Sequence, residues 1–423
     1  MEFKMKVLVV GGGGREHALV WKAAQNPSVE KIYCAPGNGG IAKIAQCVPI
    51  KATDIKGMVE FSKSNNIDLV IVSPDDPLAA GMVDALQEAG IRAFGPLKNA
   101  AVIEASKSFS KNLMKKYNIP TAGYDVFDNC DKAIAYLKEY KYPVVVKADG
   151  LAAGKGVIIT ETYEIAVEAV KNIMDDKIFG EAGNKVIVEE YLTGHEVSVL
   201  AFTDGKTVIP MVSSQDHKKV FDNDLGLNTG GMGAVSPSRI YTPEMADYCM
   251  KKIIRPTVEA MNKEGRTFKG VLYYGLMITE SGPKVLEYNA RFGDPETQVV
   301  LPRLKTDIID IFNAIIDEKL DEINIEWDER AAACVIMASG GYPGKYETGY
   351  EIKGLCDAQK DKDTIVFHAG TKYENDRYYT SGGRVLGVTA LGETLEIAVK
   401  KAYEGVSKIE FENMHYRKDI GRK

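Results

Sequence analysis

Glu287, Asn289 and Arg291 alternate along Lys284-Val285-Leu286-Glu287-Tyr288-Asn289-Ala290-Arg291-Phe292-Gly293-Asp294-Pro295-Glu296. In a strand, side chains alternate between faces, so these three share one face while Leu286 and Tyr288 take the other. A carboxylate and an amide oxygen side by side suit a hard cation such as Mg2+, which takes oxygen ligands and keeps waters and nucleotide phosphates in its remaining positions. Arg291 extends that face with a fixed positive fork. Read alone, the segment fits equally well a half-buried strand whose polar residues face solvent.

A second glycine-rich element precedes it. Residues 142–147 predict a strand ending in Lys147, residues 148–156 carry Gly150, Gly154, Lys155 and Gly156, and residues 157–160 predict strand again. A Walker A loop needs one more residue between its glycines and a helix after them, so a P-loop is excluded. A glycine hairpin between two strands suits a flap over triphosphate, with Lys155 and backbone N–H groups facing phosphate oxygens and Lys147 adding a point charge. Residues 185–192 then predict a strand ending in Glu189, Glu190, Tyr191 and Leu192, whose exposed backbone can bond a purine edge. Glu196 on the next strand can accept ribose hydroxyls. Taken singly, these three glutamates also read as solvated surface carboxylates.

Three strands, at residues 7–10, 31–34 and 69–72, alternate with helical pattern, which predicts a parallel sheet with ligands at its carboxyl edge. The first turn, Gly11 to Gly14, departs from the dinucleotide fingerprint. Glu16 occupies the third glycine position, and the second strand ends without an acidic residue for a nicotinamide ribose. Free N–H groups at the helix start and Arg15 favour a monophosphate there instead. A glycine turn needed only for packing is the alternative.

A net charge of -6 over 423 residues argues against broad binding to nucleic acid or anionic membranes. The six cysteines show neither CxxC pairs nor zinc spacing and read as reduced and mostly buried. His195-Glu196 lacks a second histidine, since Val199 stands where it is needed. Residues 5–10 are too short for a signal core and no apolar run is long enough to span a bilayer, so the chain is expected in the cytoplasm. The basic end, residues 415–423, reads as a solvated tail.

The order of lysine strand, glycine flap, Glu-Glu-Tyr-Leu hinge and Glu-x-Asn strand resembles the ATP-grasp superfamily. Within it, Gly-Gly-Gly-Arg-Glu-His (12–17), Pro-Gly-Asn-Gly-Gly (36–40), Leu-Ala-Ala-Gly-Lys-Gly (151–156), Gln-Asp-His-Lys (215–218), Asn-Thr-Gly-Gly-Met-Gly (228–233), Glu-Tyr-Asn-Ala-Arg-Phe-Gly-Asp-Pro-Glu (287–296) and Ser-Gly-Gly-Arg-Val-Leu (381–386) resemble the phosphoribosylamine glycine ligase family. Two features depart from its pattern. Asp75-Asp76 replace the usual glutamate loop, and residues 271–277 offer no acid for a second metal.

The resemblance implies a multidomain α/β and α+β chain. Its parts are an N-terminal parallel α/β domain (1–105), an ATP-grasp part with a mobile glycine flap (106–193), a central ATP-grasp part with the metal site (194–327), and a small C-terminal α+β capping domain (328–423). It further implies ATP-dependent joining of glycine to 5-phosphoribosylamine through glycyl phosphate, by a monomer with Mg2+ or Mn2+ as cofactor and no nucleic-acid or membrane partner. Glu287 and Asn289 would hold the metal; Lys107, Lys147, Gly154, Lys155 and Gly156 would face ATP phosphates. Glu189, Glu190, Tyr191 and Leu192 would take adenine and Glu196 ribose. Arg291 and Lys155 are the expected catalytic groups. Asp216, Lys218 and Asp294 are expected around glycine, and Gly13, Arg15, Glu16, His17, Asn38, Gly39 and Gly40 around the ribosylamine, with Gly383 and Arg384 nearby. Linkers are expected near residues 95–107, 118–123 and 326–330.

Overall fold

The structure is a computed structural model that describes residues 4–152 and 155–422. Met5–Gly11 begins a five-stranded sheet in the order Gln46–Cys47, Val29–Pro36, Met5–Gly11, Leu69–Val72, Ala93–Phe94. All four pairings are parallel. The order reverses on either side of Met5–Gly11, which places its carboxyl end at the crevice where such sheets receive ligands. Gly11 turns there with φ +116, and a Cβ on it would lie 2.6 Å from Glu16 Cγ. Only glycine fits that bend.

Residues 124–190 form a small module. Strands Tyr124–Phe127, Val186–Glu190, Val144–Ala148 and Val157–Thr160 make a sheet in that order. Two helices, Cys130–Leu137 and Tyr163–Met174, bury Ala133, Leu137, Ala166 and Val170 against it as a core of its own. The central sheet runs Val208–Pro210, His195–Thr203, Gly270–Thr279, Gly282–Asn289. Its last pairing slips at Gly275/Leu276, so that Leu276 faces Val285 while Gly275 faces Glu287. Leu286 is the extra residue, and this bulge re-aims the strand end that carries Glu287 and Asn289.

Several expectations are corrected. Residues 95–107, read as a linker, contain the helix Lys98–Ala105, which buries Ala100, Ala101, Ile103 and Glu104. Residues 74–77, read as a loop, start the helix Asp75–Ala80. Strands Gln215–Asp216 and Gly233–Ser236 leave the central region and join Ala331–Ser339, Arg384–Gly392 and Thr364–His368 in one sheet. Hydrogen bonding therefore crosses the boundary expected at 327/328. Of the cysteines, Cys34, Cys249 and Cys334 are buried, Cys47 and Cys130 half-buried and Cys356 exposed, all as free thiols. No helix among the described residues is long and apolar enough to cross a membrane.

The basic end is no solvated tail. Met414–His415 pairs with Ala331–Ser339, and Ile420 is fully buried. Arg417 is fully buried as well, bonding Asp419 at 2.8 Å, Asp224 at 3.0 Å and the Lys219 carbonyl at 3.0 Å. Composition alone misses this, because a charged residue enters the interior only once the fold supplies its partners. Arg417→Ala is expected to cost about 2–3 kcal/mol by removing the buried cation that joins these groups and the packing of its stem. Thermal unfolding checks it, as a fall of several degrees in Tm.

Candidate active site

Three lysines converge where the small module meets the central sheet. Lys107 opens the helix Lys107–Lys116 and its Nζ donates to the Gly150 carbonyl at 2.9 Å. Lys147, at the end of its buried Val-rich strand, lies 2.8 Å from Glu189 and donates to the Leu286 carbonyl at 3.3 Å. Lys111, one helical turn beyond Lys107, is 3.0 Å from the same Glu189 carboxylate and donates to Thr121 at 2.8 Å. Glu189 thus neutralises two buried lysines through Oε2, while its Oε1 is buried without a partner. Beyond it, Glu190 is exposed and accepts from the Gly123 N–H at 3.1 Å, Tyr191 is 38% exposed, and Leu192 is buried.

Glu287 projects toward this cluster, and its carboxylate makes no hydrogen bond or ion pair that the described residues provide. Burial alone would raise its pKa, yet Lys218, Lys147, Lys107 and Arg291 together hold it below the ordinary carboxylate value. Asn289, two residues on, donates its Nδ2 to Glu104 at 2.9 Å. Arg291 reaches Glu104 at 2.7 Å and the Phe292 carbonyl at 3.2 Å, while its Nε is buried without a partner. Glu287 and the Asn289 Oδ1 are the two oxygens this face offers to a cation, and no group of three or more His, Cys, Asp or Glu residues with metal-site geometry occurs among the described residues. Two protein oxygens with open positions fit Mg2+ shared with phosphates.

Lys218 lies 3.1 Å from Asp216, whose Oδ1 is buried and unpartnered. Glu296, buried beside them, accepts from Ser198 at 3.1 Å, and Ser198 contacts the Tyr273 hydroxyl at 2.9 Å. Gly231, at φ +116, lies over this group, and a Cβ there would come within 2.7 Å of Asp216 and 2.4 Å of Pro295. Arg384 enters from the C-terminal sheet. It donates to the Gly230 and Asp294 carbonyls at 2.7 and 2.8 Å and pairs with the Asp294 carboxylate at 3.3 Å. Its guanidinium therefore clamps two loops of the site. Gly383 beside it packs flat under Tyr342, where a Cβ would lie 2.4 Å from the ring.

The first glycine turn is more committed than its sequence implies. Glu16 accepts from the Gly13 N–H at 2.6 Å, from Arg15 Nε at 2.7 Å and from Ser73 at 2.7 Å. The Gly13 donor expected for a phosphate is thus already used by a capping box. His17 Nδ1 accepts from the His368 N–H at 2.7 Å, and burial, helped by His368, pushes its pKa down to about 3. Asn38 donates to the Gly12 and His368 carbonyls at 2.9 and 2.8 Å and accepts from the Gly40 and Ile41 N–H groups. Gly39 donates to Thr371 at 2.9 Å, and Gly40 lies against the His368 ring. These residues bind the N-terminal and C-terminal parts together. Arg15 sits at the mouth of the turn, and together with Arg384 it holds Asp294 below its ordinary value against the effect of burial.

Some expected residues stay apart. Lys155 is exposed and makes no side-chain hydrogen bond or ion pair among the described residues, whereas Glu196, also exposed, is near enough to act electrostatically on Asp216 and Lys218; Gly156 packs on Ala148 and Ala152, and Gly154 lies outside the described residues. Conversely, sequence reasoning missed Glu104, Lys111 and Glu296. No spacing rule marks them, since each acquires its role from a partner in a distant part of the chain: Asn289 for Glu104, Glu189 for Lys111 and Ser198 for Glu296.

In sequence, residues 5–104 match the phosphoribosylglycinamide synthetase N domain, residues 105–297 its ATP-grasp (A) domain and residues 332–423 its C domain. The chain belongs to the phosphoribosylglycinamide synthetase family. It is 52% identical to the phosphoribosylamine–glycine ligase of Clostridium acetobutylicum, over 99% of this chain and 100% of that relative. The corresponding ligase of Caldanaerobacter subterraneus is 50% identical, over 98% and 99%. The crystal structure of phosphoribosylamine–glycine ligase from Thermotoga maritima superposes with a TM-score of 0.86 at 31% identity, over 98% of this chain and 100% of that one. The biotin carboxylase domain of Hydrogenobacter thermophilus 2-oxoglutarate carboxylase, solved with MgADP, has a TM-score of 0.75 at 18% identity, over 98% and 92%, and shares the fold.

Membership in this synthetase family makes the lysine cluster testable as a unit. Burial pulls the Lys111 ammonium down to about 8, although Glu189 opposes it. An unfolded lysine titrates at roughly 10.4. Between those values the unfolded chain binds more protons at this site, so stability rises with pH across that window. Lys111→Met removes that site and flattens the rise, which urea midpoints of both proteins measured across the window will show.

Proposed function

We propose that this chain joins glycine to 5-phosphoribosylamine at the expense of ATP, giving glycinamide ribonucleotide, ADP and phosphate in purine biosynthesis. The observation that carries this reading is the Glu287 carboxylate, uncommitted and ringed by Lys107, Lys147, Lys218 and Arg291 in a member of the synthetase family. Glycine's carboxylate is a poor acyl donor. One of its oxygens attacks the γ-phosphorus, the P–O bond to ADP breaks, and glycyl phosphate forms. The ribosylamine nitrogen then attacks the carbonyl carbon and loses a proton, and phosphate departs with the C–O electron pair.

The residues divide that work by position and charge. Lys107 and Lys147 neutralise ATP phosphates, Lys155 and Gly156 close over them with the flap, and the backbone of Glu189 to Leu192 bonds adenine, with Glu196 at the ribose. Arg291 faces the transferring phosphoryl group. The unpartnered Asp216 Oδ1 suits the glycine ammonium, with Glu296 adding negative charge and Lys218 and Asp294 framing the carboxylate end. Arg15 receives the ribosylamine phosphate beside the first turn, where Gly39 and Gly40 contribute backbone only. Glu287 and Asn289 hold Mg2+ or Mn2+, which when bound offsets the charge of the ATP phosphates. The protein acts as a cytoplasmic monomer without nucleic-acid or membrane partners.

The deciding assay is ADP release from Mg-ATP with glycine and freshly generated 5-phosphoribosylamine, separately and together, with mass detection of the product. Product is expected only with both; ADP release with a different acid or amine would overturn the substrate assignment. Glu287→Ala is expected to cut turnover at least about 100-fold. The variant should keep the parent's far-ultraviolet circular dichroism, with Tm lowered because the four cations lose the carboxylate they favour. Retention of most activity would remove Glu287 from the metal site.

A further inference from the structure

Asn289 presents an amide whose two ends have nearly the same shape, and only its hydrogen-bond partners decide which end faces the cation. Its Nδ2 donates to Oε1 of Glu104, at 2.9 Å, so Oδ1 is the end left facing outward beside Glu287. Glu104 lies in the last turn of the helix Lys98–Ala105 and is 7% exposed. Both of its oxygens meet donors only. Oε1 also takes Arg291 Nη2 at 2.7 Å, and Oε2 takes the Ala290 N–H at 2.7 Å. Burial raises the pKa of this carboxylate, and Asp75, at the start of the neighbouring helix, adds to that, while Arg291 and Lys107 favour its ionised form.

We propose that Glu104 is a positioning residue that, as an acceptor on both oxygens, orients the Asn289 amide oxygen toward the cation site and fixes the Arg291 guanidinium next to it. The inference rests on the reading that Glu287 and Asn289 hold a divalent cation. Glu104 touches no reacting group itself, and it acts through three consecutive residues of the Glu-x-Asn-x-Arg segment. A partner that orients a metal ligand in this way typically carries about 10- to 100-fold of metal affinity.

An amide at position 104 cannot satisfy this arrangement. Its NH2 must face either the Ala290 N–H or the Asn289 and Arg291 donors. In the second case Asn289 turns its amide over, giving Oδ1 to residue 104 and leaving Nδ2 toward the cation, while Arg291 Nη2 loses its acceptor; in the first, the Ala290 N–H loses its acceptor and the Glu-x-Asn-x-Arg backbone shifts. Asparagine's NH2 cannot ligate a cation. A carboxylate at 289 escapes the problem, because one oxygen accepts from the new amide and the other remains free.

The test measures Mn2+ binding to the full chain with ADP, by the electron paramagnetic resonance signal of free Mn2+, without turnover. Glu104→Gln is expected to weaken Mn2+ about 10-fold or more. Metal-free ADP binding should change less than about twofold, since that term depends on the lysines and the adenine pocket rather than on residue 104. The double variant Glu104→Gln with Asn289→Asp is expected to regain Mn2+ affinity. Unchanged Mn2+ affinity in Glu104→Gln, or no recovery in the double variant, would overturn the proposal. Should Glu104→Gln fail to fold, Asn289→Asp alone reads the same contact. With the Glu104 carboxylate intact, that substitution sets two carboxylates against each other and is expected to weaken Mn2+; tighter binding, as a free ligand position would give, would overturn it. A parent protein that binds no Mn2+ with ADP would instead sink the metal reading itself.

Discussion

Burial disfavours a negative charge at Glu287, and the carboxylate stays ionised only because cations from four separate segments converge on it. Lys107 comes from a helix start, Lys147 from a strand end, Lys218 from the loop after a short strand, and Arg291 from the exit of the Glu287 strand itself. Four cations so close together repel one another. The fold offsets that repulsion with Glu189 between Lys111 and Lys147, Asp216 at Lys218, and Glu104 at Arg291. Glu287 is the carboxylate left over. The result is a partly desolvated, organised site of positive potential, where electrostatic interactions are stronger than in water.

The C-terminal part is built into that site and is more than a cover. Two short strands from the middle of the chain complete its sheet, and Arg384 returns across the boundary to hold the Gly230 and Asp294 carbonyls. Asn38 and His17 tie the same part to the first glycine turn from the other side. The small module of residues 124–190 contrasts with this. It has its own hydrophobic core, and it meets the central sheet at the lysine cluster.

Much of this was legible in one dimension. The buried strand 69–72, the lysine strand, the Glu-x-Asn strand and the strand pair around the glycine flap are local runs of β-branched and apolar residues, and their hydrogen-bonded partners follow the same alternation. That Glu287 and Asn289 share one strand face was legible too, because order along a strand dictates which face a side chain takes. Regions rich in glycine, proline or charge misled. Residues 74–77 and 98–105 form helices because their apolar faces pack on one another, a gain that appears only when distant elements meet.

By itself, then, the sequence determined the parallel N-terminal sheet, the antiparallel strand pair Val144–Ala148 and Val157–Thr160, and the family, since these depend on periodicity and on short runs. Tertiary structure alone decided that Glu16, His17 and Asn38 spend their polar groups inside the protein, that the basic end is buried through Arg417, and that Glu104, Lys111 and Glu296 belong to the site. The physical reason is the same in each case. A buried polar group takes its role from the partners that satisfy it, and those partners lie on other elements, at sequence distances no local pattern encodes.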